Sequence, residues 1–204
     1  MSLSIIILAA GQGTRMYSDI PKVLHPLAGK PLLEHVYNTA SSIPHSSIHI
    51  VYGFGGDAVP DRLQQLPVHW IEQSKQLGTG HAVAQAMPDI PAEDMVLILY
   101  GDIPLISTET LQPLLDAAGE TGFSLLTAEL EIPRGYGRII RDRKGRIMRI
   151  VEEKDASDVE REICEVNTGM MVIKADSLQR WVKELGNENA QKEYYLTDII
   201  ALAV

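Results

Sequence analysis

The run Leu3–Ala9 is apolar at almost every position and stops abruptly at a turn containing Gly11 and Gly13. A strand with one face in water alternates apolar and polar side chains, so a near-continuous apolar run predicts a strand buried on both faces of a parallel sheet. Glycines directly behind it let the chain turn sharply and bring backbone N–H groups close to a ligand. Arg15 adds a fixed positive charge beside them. The opening stretch therefore predicts a buried strand that ends in an anion-binding turn, with phosphate as the expected guest.

The chain then alternates strands with helices. The spacing predicts a helix over Pro31–Ala40, with proline in its first turn and Leu32, Leu33, Val36 and Tyr37 along one face. Ile48–Tyr52 reads as a strand, Val59–Leu66 as a short helix and Val68–Ile71 as a third strand. A second glycine-rich turn, Gln76–His81, opens a small-residue helix over Ala82–Ala86. Met95–Tyr100 is the most apolar strand and ends in Gly101-Asp102. A helix over Thr108–Ala118 follows, with Ser107 or Thr108 as its N-cap. Strands and helices joined this way predict an open α/β sheet wound on both faces.

From Phe123 the texture changes, because strand-like segments follow one another with little helix between them. Gly137–Arg141 and Arg146–Val151 flank Asp142-Arg143-Lys144-Gly145 and read as an antiparallel hairpin, a small added lobe. Met170–Ile173 is again a strand, Ser177–Leu185 an amphipathic helix, and Thr197 begins a last helix.

Composition narrows the partners. With 204 residues the chain can bury one large core, and 45% apolar against 22% charged residues is ordinary for a soluble globular protein. Eighteen basic against 27 acidic side chains give a net charge of -9, which offers no broad field to nucleic acid or an anionic membrane. A polyanionic ligand must then be held by a few local cations, backbone N–H groups and a metal ion. The single Cys164 excludes an internal disulfide, carries no nucleophile signature and is expected to be a small buried side chain. With no charged leader or membrane-length apolar run, cytoplasm is the expected compartment. His45 and His49 flank a strand start, and no zinc-like spacing recurs.

The glycine turn fits neither the dinucleotide fingerprint, since Met16 stands where a third glycine belongs, nor the Walker phosphate loop, since no Gly-Lys-Ser/Thr closes it. Lys22 follows Pro21, whose fixed φ stiffens the approach and can hold a second cation over the same turn. Asp102 stands directly after a buried strand, where open α/β sheets place ligand-binding groups. It can serve as a Mg²⁺ ligand, although Gly-Asp before Ile-Pro suits an ordinary turn as well. Gln73 and the Gly78-Thr79 turn suit a base, because a side-chain amide matches the O4 and N3–H edge of uracil; Gln73 can equally be a surface residue. Gly137, Glu152 and Asn167, beside the added lobe, are the usual partners of sugar hydroxyls and an acetamido group. The acidic run from Glu152 to Glu162 otherwise reads as a solvated face.

Taken together, LAAGQGTRM at 8–16, DIPKVLHPLAGKPLLEHV at 19–36, QLGTGHA at 76–82, LYGDIPLIS at 99–107, GYGRI at 135–139, VEEKDA at 151–156, VNTGMM at 166–171 and EYYLTDIIALA at 193–203 closely resemble one family. It is the uridylyltransferase part of the bacterial bifunctional N-acetylglucosamine-1-phosphate uridylyltransferase/glucosamine-1-phosphate acetyltransferases. The first turn with its Pro-Lys pair is shared by many sugar nucleotidyltransferases; the later motifs narrow the choice. The resemblance implies a Rossmann-like, mixed and mainly parallel sheet of the nucleotide-diphospho-sugar transferase type, with a small antiparallel sugar-binding lobe. It also implies that UTP and N-acetylglucosamine 1-phosphate become UDP-N-acetylglucosamine and pyrophosphate with Mg²⁺, for cell-envelope precursors.

By the same resemblance, Leu8, Ala9, Ala10, Gly11, Gly13, Gln73, Gly78 and Thr79 hold the nucleotide, and Arg15 and Lys22 are catalytic at the phosphates. Asp102 is the metal ligand, with Tyr100 and Gly101 beside it, and Gly137, Glu152 and Asn167 hold the sugar. Phe54 stands where the family is expected to have histidine. The family continues beyond this length with a further metal-binding asparagine and a trimerising acetyltransferase β-helix, so residues 1–204 are expected to be a C-terminally truncated uridylyltransferase domain. A transferase for another nucleotide or sugar, or a fragment that binds nucleotide without turnover, are the readings left beside it.

Overall fold

A computed structural model describes residues 2–204 apart from 12, 14, 15, 17 and 19. The elements in chain order are β1 (Leu3–Leu8), a 3₁₀ turn at Lys22–Leu24, the two-residue strands β2 (Pro26–Leu27) and β3 (Lys30–Pro31), α1 (Leu32–Ser41), β4 (Ser47–Tyr52), α2 (Ala58–Arg62), β5 (His69–Glu72) and α3 (Thr79–Ala86). Then come β6 (Met95–Tyr100), α4 (Thr108–Thr121), β7 (Phe123–Glu129), β8 (Arg138–Arg141), β9 (Ile147–Val151), α5 (Asp158–Arg161), β10 (Glu165–Lys174), α6 (Ala175–Glu184), a 3₁₀ turn at Leu196–Asp198 and α7 (Ile199–Ala203).

Eight strands form one mixed sheet in the order β5-β4-β1-β6-β10-β8-β9, with β7 also paired to β10. β5, β4, β1 and β6 run parallel, and β10 pairs antiparallel with β6, β7 and β8. The apolar run of β1 is explained by its two buried faces. Ile5 and Ile7 pack with Leu33, Val36 and Leu111 on one side, while Ile6 and Leu8 pack with Val83, Ala86 and Ile199 on the other. Helices α1, α2 and α4 thus cover one face and α3, α6 and α7 the other. No helix of the described residues is long and apolar enough to cross a membrane.

The expected elements are present with shifted ends. Pro31 precedes α1 as its cap rather than opening it, α2 stops at Arg62, and α3 begins three residues earlier than the small-residue run suggests, at Thr79. Ser107 is the N-cap of α4, its Oγ accepting from Thr110 N at 3.4 Å, and Gly122 ends that helix at φ 79°. β10 is longer than Met170–Ile173, because it spans both the core and the lobe. The lobe is no separate layer: the β8–β9 hairpin continues the main sheet through one bonded pair, Val166 with Arg138. The acidic run expected to be a solvated face contains helix α5, whose capping box, Ser157 with Glu160, is a sequence signal.

Cys164 corrects an expectation. It is exposed, not buried: it stands in the loop just before β10, and its Sγ lies 3.8 Å from the Glu162 carbonyl.

Candidate active site

The parallel strands β1, β4, β5 and β6 share one direction, with Leu8 opposite both Val51 and Tyr100 and Tyr52 opposite Glu72. Their carboxyl ends therefore lie along one edge of the sheet, where a cleft of about 460 Å³ opens. Leu8, Ala9, Ala10, Gly11 and Gly13 form one wall. Gln73, Gly78 and Thr79 line the cleft on the β5 side of β1, and Tyr100 and Asp102, with Lys22, on the β6 side. The expected groups thus converge although they lie far apart in the chain. Arg15 lies outside the described residues.

The backbone holds the first wall in place. Ala9 N donates to Val51 O at 2.8 Å, Phe54 N to Ala10 O at 3.2 Å and Gly101 N to Leu8 O at 2.9 Å. Phe54 thus supports the turn through its main chain, a role that any side chain permits. Gly13 adopts φ +59°, and a Cβ there would come within 2.7 Å of Lys22 Cβ. The turn lies against the stem of Lys22. That ammonium donates to Asp102 Oδ2 at 2.6 Å, with both side chains about a third exposed, at 34% and 29%. Gly101 faces the core instead of the cleft: a Cβ there would meet Leu33 Cδ1 at 3.0 Å.

On the β5 side, Gln73 is only 3% exposed. Its Nε2 donates to Gly78 O at 3.1 Å and to His81 Nδ1 at 2.8 Å. In the tautomer with Nδ1 unprotonated, both amide hydrogens are used inside the protein and Oε1 is the group left free, in place of the donor–acceptor pair expected from sequence. Burial lowers the His81 pKa, which favours the neutral ring whose Nδ1 can accept. Gly78, at φ +111°, leaves no room for a side chain, since a Cβ would sit 2.6 Å from Tyr194 O. Thr79 Oγ1 accepts from Leu196 N at 3.0 Å.

These contacts expose what the sequence did not reveal. The segment 193–197 lies across the second glycine turn and brings Glu193 to the cleft, where Val23, Gln76 and Ala82 are also lining residues. Gln76 stood within a motif already noted, and its Nε2 donates to Gln73 O at 2.9 Å. Glu193 opens the motif EYYLTDIIALA, but its place at the cleft depends on contacts more than a hundred residues away.

Glu152 does not line this cleft. It lines a second cavity of about 410 Å³ with Thr197, Tyr195, Asp155 and Asp198. Gly137 lies beside it, 3.4 Å from Glu152 Oε1 for an added Cβ, and its carbonyl accepts from Asn167 N at 2.8 Å. Asn167 Oδ1 accepts from Gly169 N at 2.9 Å, which leaves its NH₂ as the outward donor. The three lobe residues are thus together, and Tyr100 bridges them to the cleft. Its ring lies against Gly169, where any side chain would collide with it. Burial raises the Tyr100 pKa, and the Glu152 and Asp102 charges push the same way, so it stays a neutral hydroxyl.

Among the described residues no group of three or more His, Cys, Asp or Glu converges as a metal cage. The single carboxylate of Asp102 still suits Mg²⁺, which keeps several waters and takes one or two protein carboxylates beside phosphate oxygens. Only its Oδ2 is engaged among the described residues.

Residues 5–158 match the family described as the MobA-like NTP transferase domain. The chain is similar to the bifunctional protein GlmU of Coxiella burnetii (strain CbuK_Q154), 58% identical over 204 residues that make up 100% of this chain and 45% of that protein. It is also similar to the bifunctional protein GlmU of Azoarcus sp. (strain BH72), 56% identical over 99% of this chain and 45% of that protein. The chain therefore spans less than half the length of these curated relatives. Among solved structures, UDP-glucose pyrophosphorylase complexed with UDP-glucose aligns with a TM-score of 0.82 at 18% identity, covering 99% of this chain and 86% of that one. HddC from Yersinia pseudotuberculosis aligns with a TM-score of 0.68 at 19% identity, covering 95% and 83%. At these identities the two structures speak for the fold alone.

Proposed function

Because this chain belongs to the family of MobA-like NTP transferase domains, we propose that it is a uridylyltransferase domain that joins UTP and N-acetylglucosamine 1-phosphate into UDP-N-acetylglucosamine and pyrophosphate. The observation that carries this reading is the convergence of the glycine turn, the Lys22–Asp102 pair and the Gln73 amide on one cleft. The choice of substrates rests on the motif resemblance and is supported by 58% and 56% identity to proteins named GlmU. Synthesis of envelope precursors in the cytoplasm is the setting that goes with it.

In this reading a phosphate oxygen of the sugar phosphate attacks the α-phosphorus in line, and the bond to pyrophosphate breaks as the new one forms. The attacking oxygen is already ionised at neutral pH, so no general base is required. What the protein supplies is alignment of two anions and charge neutralisation. Lys22, packed beside Gly13, brings its ammonium to the phosphates, and Arg15 is assigned the same task. Asp102 would hold Mg²⁺, which when bound neutralises charge on the phosphate oxygens. Gln73 Oε1 accepts the N3–H of uracil; cytosine has no proton there, so the base is selected by an unmatched acceptor. Glu152 and the Asn167 amide take a sugar hydroxyl and the acetamido carbonyl.

The test is product analysis with Mg²⁺, UTP or CTP, and N-acetylglucosamine 1-phosphate or glucosamine 1-phosphate. UDP-N-acetylglucosamine and pyrophosphate from the UTP and N-acetylated pair are expected. Absence of that product, or equal use of CTP, defeats the proposal.

A further inference from the structure

We propose that Thr197 is a positioning residue that fixes the Glu152 carboxylate for the sugar, and that the segment carrying it couples this carboxylate to the turn facing the base. The inference rests on the assignment of Glu152 to sugar recognition made above. Thr197 is 5% exposed, and its Oγ1–H donates to Glu152 Oε1 at 3.0 Å.

The surroundings of Glu152 make that one hydroxyl matter. Burial raises the Glu152 pKa, and the charges of Asp198, Asp155 and Glu193 push it the same way; the Thr197 hydrogen bond acts against them. Among the described residues no lysine or arginine pairs with Glu152, while neighbouring Glu153 has Arg138 Nη2 at 2.7 Å. A half-buried carboxylate without a cation depends on whatever donor is held in place beside it.

The backbone determines where that donor stands. Thr197 sits in the 3₁₀ turn Leu196–Asp198, and the residues just before it are bonded to the second glycine turn. Tyr194 N donates to Leu77 O at 2.8 Å, Gly80 N donates to Tyr194 O at 2.8 Å, and Leu196 N donates to Thr79 Oγ1 at 3.0 Å. Two threonine hydroxyls therefore act in series, Thr79 receiving the segment and Thr197 presenting it to Glu152. A buried threonine that merely filled space would need neither link.

Calorimetric binding of UDP and of UDP-N-acetylglucosamine, at several pH values, separates the possibilities without requiring turnover. Thr197→Val keeps the β-branched shape and removes the donor; Thr197→Ala removes the donor without setting a methyl against the carboxylate. Both are expected to bind UDP as the wild type does and UDP-N-acetylglucosamine about tenfold more weakly, in line with the loss of one hydrogen bond to a charged group. Thr197→Ser is expected to restore the affinity.

The pH profile adds a readout specific to positioning. An ionised Glu152 accepts the sugar hydroxyl, so the sugar's share of the affinity is present above the Glu152 pKa and is lost as pH falls through it. Removing the Thr197 donor raises that pKa, so the loss occurs at higher pH in Thr197→Val. Wild-type discrimination between the two ligands in Thr197→Val, or equal weakening of both, overturns the positioning role. Glu152→Gln that still prefers UDP-N-acetylglucosamine to the wild-type extent overturns the sugar assignment itself, and the proposal with it.

Discussion

The Lys22 ammonium lies 2.6 Å from Asp102 Oδ2, so the cation assigned to the phosphates and the carboxylate assigned to the metal stand as one ion pair in the cleft. Their sequence separation is 80 residues, and Gly13 leaves room for the lysine stem, since a Cβ there would lie 2.7 Å from Lys22 Cβ. A third of each side chain is in contact with water, so the pair contributes little to folding and much to the charge balance of the cleft.

Lys22→Ala is accordingly expected to leave thermal stability nearly unchanged and to lower turnover about 10²-fold, the scale for losing one preorganised stabiliser. Pyrophosphate release against a thermal melt of the same preparation checks both halves. A variant with wild-type turnover removes Lys22 from the chemistry.

The two glycine turns are expected to respond differently to a methyl group. At Gly11 nothing of the described protein lies within 4 Å of an added Cβ, so Gly11→Ala should fold normally and bind nucleotide more weakly, the methyl meeting the ligand alone. At Gly78 a Cβ meets Tyr194 O at 2.6 Å from a backbone at φ +111°, so Gly78→Ala should cost about 2 kcal/mol of stability or more. Urea unfolding together with UTP titration of each variant tests the contrast.

Acid should weaken the fold through the foot of the sheet. His49 is 1% exposed and stacks on His69 with ring centroids 4.8 Å apart. Burial first, then the His69 charge, holds the His49 pKa below its ordinary value of 6.5, with Asp89 opposing. The unfolded chain then takes up the proton more readily. The contribution of neutral His49 is full above 6.5 and is lost as pH falls from there through the folded value. Urea unfolding at about pH 7.5 and about pH 5.5 should show the loss, and His49→Gln should reduce the difference. An equal drop in both proteins assigns the effect elsewhere.

What the sequence made legible was local. The apolar run of β1, the Gly101-Asp102 stop after β6, the Pro-Lys step and the Asp142–Gly145 hairpin turn are each determined by neighbours in the chain, and each lies where its pattern indicates. The Gln73 amide stands at the cleft as its place after a strand suggests, but its hydrogen bonds to the Gly78 carbonyl and to His81 come from packing that no composition rule reports. That Glu193 lines the cleft and that Thr197 meets Glu152 was not legible, since both depend on contacts such as the bond across 117 residues between Leu196 and Thr79. Cys164 departs from its expectation, since cysteine is usually buried and here it stands exposed in the loop before β10.

The single ladder pair between Val166 and Arg138 has a consequence for how the chain can change. The parallel strands hold one another in register along the cleft edge, whereas the hairpin flanked by Gly137 and Glu152 joins the sheet at one ladder pair to β10. Insertions or side-chain exchange in β8 and β9 can reshape what is recognised there without re-registering β1, β4 and β6. What ties the hairpin back to the second glycine turn is then chiefly the 193–197 segment, through the Thr197–Glu152 and Leu196–Thr79 hydrogen bonds.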